Sequence, residues 1–167
     1  MFLWLLSKRR LLTRDNLVLK GWEGDPRCCY CYSLETIDHL MFRCNQTARI
    51  WDWFLHSLQI ETRPHRLEDL FDIIENAGKT QALRYCCAAV LWVIWKQRNE
   101  SSFNDKQCQT LSRYASDIKG LIIYWSGLWK GALKDDIMGM IQHMEPVSAQ
   151  IAGRMAEDGA LPLVHVI

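Results

Sequence analysis

The chain has 167 residues, enough for one domain with a core of its own. Hydrophobic residues make up 49% and charged residues 23%, which excludes a disordered chain. The formal net charge is +1, so bulk charge does not drive binding to a polyanion, and any nucleic-acid contact needs a local basic patch.

Residues 2–10 (FLWLLSKRR) open the chain as a helical pattern that is apolar from its first position, with no cap before it. That abrupt start predicts a chain cut from something longer. The apolar run at residues 1–6 is too short for a secretory signal, and its basic residues follow it instead of preceding it. There are seven cysteines, an odd number, so a disulfide framework is not expected. The expected location is nuclear or cytoplasmic, not secreted. Thr13 is placed to cap a second short helix over 14–20, with Asp15 in its first turn and Gly21 just past its end. Residues 22–26 form a turn.

The next stretch, RCCYCYSLETIDHLMFRC over 27–44, carries the strongest chemical signal. It holds Cys28 and Cys31 as Cys-x2-Cys, then His39 and Cys44 as His-x4-Cys. Three thiolates and one imidazole complete a tetrahedral zinc shell with no open position. Catalytic zinc keeps a position open, so this pattern predicts a structural Zn2+ and no reaction. Residues 36–42 are expected to form a short helix presenting His39, with Cys44 just past its end. Cys29 sits too close to Cys31 for the usual turn and is left as a spare thiol beside the site.

Residues 46–60 repeat apolar side chains at helical spacing, with Asn45 able to cap them. Trp51 and Trp53 lie on different faces of that helix, which predicts partial exposure of one. A loop follows, containing Pro64, and then a short amphipathic helix over 67–77 ending at Gly78. The longest predicted helix covers 79–103. Its middle, YCCAAVLWVIW, is apolar all round and too short to span a bilayer, so it reads as a core helix with a wet end at Lys96 and Arg98. Buried Cys86 and Cys87 are expected to be inert. Residues 107–131 form the cleanest periodic helix, and a further helix is placed at 135–144. Asp135 and Asp136 sit at that helix start, where acids favour the dipole, and do not read as a polymerase carboxylate pair.

The fold class is therefore mainly α: a helical domain with a small Cys-Cys-His-Cys zinc knuckle near the N-terminus. The expected organisation is a zinc-binding stretch at 1–60, a helical extension packed on it at 61–134, and a weakly structured tail at 135–167. Lys8, Arg9, Arg10, Arg27, Tyr30, Tyr32 and Arg43 make a candidate basic and aromatic surface for unpaired bases of RNA or DNA. The same residues also read as solvated helix ends and local packing. No membrane partner is expected, and no nucleophile–base motif is present.

Residues 2–17 (FLWLLSKRRLLTRDNL), Gly21-Trp22, the Cys-x2-Cys pair with ETIDHLMFRC, then Ala48, Ile50 and Trp51 resemble the zinc-binding domain that follows the reverse transcriptase of plant non-LTR retrotransposons. The later VLWVIWKQRNESSF over 90–103 is similar to a helix often found after that domain. The resemblance implies the same four ligands and a non-catalytic accessory role, with weak binding of RNA or DNA, or alternatively a protein-interaction or structural remnant. Tyr32 stands where the family commonly has glycine, and glycine there would ease a positive φ in the metal turn.

Overall fold

The computed structural model describes residues 1–78, 80–103 and 109–144. The helices in order are α1 (Phe2–Ser7), α2 (Arg14–Val18), a π-helical turn (His39–Arg43), α3 (Asn45–Ser57), α4 (Leu67–Asn76), α5 (Thr80–Phe103), α6 (Leu111–Ser126) and α7 (132–144). Among the described residues the only extended pairing is a single bridge between Arg27 and Leu34. The mainly α fold expected from the periodicity is what the chain adopts.

α5 is the central helix. It packs against α3, α4, α6 and the π turn. Cys86, Cys87, Ala88, Ala89 and Val90 follow one another in its middle, and all are buried. Side chains this small let helices approach from several sides at once. No described helix is long and apolar enough to cross a membrane. Burial pushes the Cys86 thiol up to about 12 and raises Cys87 as well, so both stay protonated, as expected of inert core cysteines.

The expected wet end of α5 holds at Lys96, which is exposed, and is corrected at Arg98. Gln97 and Arg98 are 5% and 2% exposed. The reason lies far away in sequence: the N-terminal segment folds over this end. Phe2 of α1 packs edge-on to Trp92 at 5.2 Å and stacks near Trp95 at 6.4 Å, while Glu35 pairs with Arg98.

α3 starts at Asn45 with Cys44 as its cap, so Asn45 lies inside the helix and does not cap it. Trp51 and Trp53 are both buried, against the expectation that one is partly exposed. α3 is covered by the π turn on one side and by α5 and α6 on others, which leaves Asn45, Arg49, Asp52 and His56 as its solvent positions. Trp51 stacks on Phe42 at 5.8 Å and donates its Nε1–H to the Met41 carbonyl at 2.7 Å.

Three helices end in the same device. After α1, α2 and α3 a residue in left-handed conformation closes the helix: Arg9 (φ 53), Gly21 (φ 87) and Gln59 (φ 58). In each, one amide reaches back five residues and its predecessor three, as Arg10 N to Leu5 O and Arg9 N to Leu6 O do after α1. α1 therefore stops at Ser7 and not at Arg10, and α2 stops at Val18 with Gly21 beyond it.

α6 is shorter than the periodic stretch predicted it from. Thr110 caps it by accepting the Arg113 amide at 3.3 Å, and it ends at Ser126, leaving Leu128 exposed. The helix expected at 135–144 is present as α7, which starts three residues earlier, with Ile137, Met140, Ile141 and Met144 buried. The rest of the expected tail lies outside the described residues. One buried cluster joins Leu6, Phe42, Trp51, Ile94, Ile118 and Ile141, so the core runs through the N-terminal stretch and the later helices alike.

Trp51→Phe keeps the ring stack and orphans the buried Met41 carbonyl. It is expected to cost about 2 kcal/mol, from the lost partner and the small cavity together, as read from the urea midpoint of unfolding at unchanged m-value.

Candidate metal centre

The site is built from two short pieces of chain. The first is the turn at 28–32. Cys28 N donates to Ser33 O at 2.6 Å, Tyr32 N donates to Cys28 O at 3.1 Å, and the Tyr30 amide points at the Cys28 sulfur at 3.4 Å. The second is the π turn. Thr36 Oγ1 accepts the His39 amide at 3.1 Å and so caps the turn's entry. The Cys44 amide then closes on His39 O at 2.7 Å, five residues back. Ordinary α-helical winding would put a residue five positions on about 140° round the axis. The wider turn brings Cys44 back toward the side of His39.

The four sequence-predicted ligands meet. One donor atom from each of Cys28, Cys31, His39 and Cys44 lies within 4.8 Å of all the others. Cys28 Sγ is 3.9 Å from Cys44 Sγ, Cys44 Sγ is 3.7 Å from Cys31 Sγ, and Cys31 Sγ is 3.1 Å from His39 Nε2. A zinc ion bonded to sulfur at 2.3 Å sets tetrahedral sulfur–sulfur edges of about 3.8 Å. The spacing fits that ion. Cys28 and Cys44 are buried, and Cys31 and His39 are half-buried.

The sulfurs are electrostatically coupled to one another. Hydrogen bonds from Cys29 and Cys44 pull the Cys28 thiol far below its ordinary value, and the same contacts push Cys29 and Cys44 up. Crowded sulfurs can share one negative charge unaided; a bound dication lets several be thiolates together.

Residues 1–51 match the family of zinc-binding in reverse transcriptase. No curated protein and no solved structure matches the chain. The matched segment contains Cys28, Cys31, His39 and Cys44 and ends at Trp51, where α3 meets the π turn.

The candidate nucleic-acid residues are not brought together as a free surface. Arg9 is paired with Asp38 at 2.9 Å and Glu68 at 3.2 Å. Arg27 grips Asp25 with two nitrogens and holds that carboxyl down at about 2. Arg43 donates to the His65 carbonyl at 3.0 Å. Tyr30 is half-buried, with its hydroxyl 3.3 Å from that of Tyr114. Lys8 and Arg10 are exposed and make no ion pair among the described residues. Tyr32 is 73% exposed, with the Arg27 guanidinium 6.0 Å from its ring centre.

Sequence reasoning missed Glu35. It is fully buried between the two halves of the site's support, accepting the Arg14 amide at 2.9 Å and the Arg98 guanidinium. Thr13, the expected side-chain cap of α2, turns instead to Asp15 at 2.5 Å, and Glu35 caps that helix from outside. The residue stands within the family-like ETIDHL run, but nothing local announces a partner 63 residues away.

Tyr32 has φ 61, the left-handed value expected of a glycine position. That conformation costs a side-chain-bearing residue about 1–2 kcal/mol, against about 0.5–1 kcal/mol of extra chain entropy that glycine would lose on folding. Tyr32→Gly is thus expected to raise stability by up to about 1 kcal/mol, and Tyr32→Ala to give no gain, in denaturant titrations of the zinc-loaded chain.

Proposed function

We propose that this chain is a non-catalytic zinc module derived from a retrotransposon reverse transcriptase polyprotein, in which the ion does structural work. Convergence of three sulfurs and one imidazole within 4.8 Å of one another, with two sulfur–sulfur edges of 3.7 and 3.9 Å, carries the reading. Zinc held by Cys28, Cys31, His39 and Cys44 would have its coordination filled by protein, with no place for a reacting water. Its chemistry is to fix the 28–32 turn against the π turn, which in turn seats Leu40, Met41 and Phe42, all buried, against α3 and α5.

A cleft of about 950 Å³ between α3 and α4 is lined by Asp52, Arg63, Asp69 and Asp72. Asp52 is paired with Arg63 and Asp69 with Arg66, which supports a non-catalytic reading of that cleft.

Of the two roles the family resemblance allows, the structural one is favoured. Arg9 and Arg27 already face carboxylates, and Tyr30 packs inward. Stacking on unpaired bases needs exposed rings beside free cations, and Tyr32 stands without a second exposed ring in its turn. Filter binding at physiological salt should accordingly show no retention of single-stranded RNA or DNA by the zinc-loaded chain. Salt-dependent retention that Lys8→Ala or Arg10→Ala reduces would restore the nucleic-acid role.

Native mass spectrometry of the purified chain should find one zinc ion. Cys31→Ser and His39→Ala should each abolish stoichiometric zinc. Acidification should release the ion from the unaltered chain, because the ligands bind only when deprotonated. Full zinc retention in either variant would overturn the ligand assignment.

A further inference from the structure

The matched family segment stops at residue 51, but the site's electrostatics do not. Glu35 is fully buried, and one of its carboxylate oxygens lies within 4.8 Å of the Cys28 and Cys29 sulfurs. Three thiolates already outweigh the two charges of zinc, and a bare carboxylate beside them would add a further negative charge in a site shielded from water. The compensating charge comes from α5. Arg98 is 2% exposed and reaches Glu35 through Nε at 3.1 Å and through Nη2. Its guanidinium is held in place by the Trp95 ring at 5.3 Å, the Phe103 ring at 6.0 Å and the Asn99 side chain at 2.9 Å.

Glu35 also anchors the chain around the site. It accepts the first amide of α2, its own amide is held by Pro26 O at 3.0 Å, and its carbonyl takes the Asp15 amide at 3.2 Å. These contacts tie the strand entering the Cys28 turn to the strand leaving it.

We propose that Arg98, from a helix outside the matched segment, is a positioning residue of the metal centre: by neutralising Glu35 beside Cys28 it sets the affinity for zinc. This rests on the zinc reading above. Groups that orient and balance ligands from outside the coordination shell typically change metal affinity by about 10–100-fold.

The test uses the full chain and a chromophoric chelator competing for zinc, with amide exchange of α5 as the readout of folding. Arg98→Met should weaken zinc binding by about 10–100-fold. Arg98→Lys keeps the charge and should stay within a few-fold of the parent. Glu35→Gln/Arg98→Met removes both charges, keeps an acceptor for the Arg14 amide, and should recover most of the loss. Parent-like binding by a folded Arg98→Met chain would overturn the proposal. So would a double variant as weak as the single one, since Arg98 would then act by packing alone. Should Arg98→Met fail to fold, the other two variants decide, because the proposal requires both to bind zinc nearly as the parent does and weak binding by either refutes it. A parent chain that takes up no zinc would overturn the zinc reading and this inference with it; a parent that binds zinc with an indifferent Arg98 would overturn this inference alone.

Discussion

A carboxylate without exposed surface has to be satisfied where it stands, and Glu35 organises the molecule through that requirement. The carboxylate takes the first amide of α2 and the Arg98 guanidinium near the end of α5, while the Glu35 main chain bonds Pro26 and Asp15. An uncompensated charge at such a position costs about 3–5 kcal/mol, a large part of the stability of a chain this size. No partner can move without disturbing the others. The pair gains nothing by itself over a well-packed apolar substitute. What it supplies is orientation, because a guanidinium fork meets a carboxylate in few ways.

The cysteine–histidine cage and this ion pair act on the same short run of chain from opposite sides. The cage gathers the 28–32 turn and the π turn. The ion pair fastens the residues between them to the helical core. The buried Leu40, Met41 and Phe42 form the common floor, and Trp51 locks it by stacking on Phe42 and taking the Met41 carbonyl. A polar, turn-rich segment that could not bury enough apolar surface alone thus becomes part of one continuous core.

What could be read from residues alone divides along physical lines. The ligand set was legible because sulfur and imidazole at short spacing have few other uses, while the glycine-like demand at Tyr32 came from the family resemblance and is met by its φ of 61. α5 was legible in its apolar middle and not at its end. The burial of Arg98 depends on a partner 63 residues earlier, which no periodicity contains. Helix ends at Gly21 and Gly78 showed themselves by residue type. The left-handed closures at Arg9 and Gln59 did not, because arginine and glutamine carry no such preference. The basic surface looked available in sequence because charge was counted without its neighbours. Asp25, Asp38 and Glu68 take up Arg27 and Arg9 only once the chain has folded.

The π turn gives the interval between His39 and Cys44 a meaning beyond loop length. Four intervening residues wound at the wider pitch return the sulfur to the imidazole's side. The gap in the motif is an angle written as a count. Removing one residue there would not tighten a loop but would rotate the Cys44 sulfur about the helix axis, away from the other three donors, so the grammar of the signature is rotational.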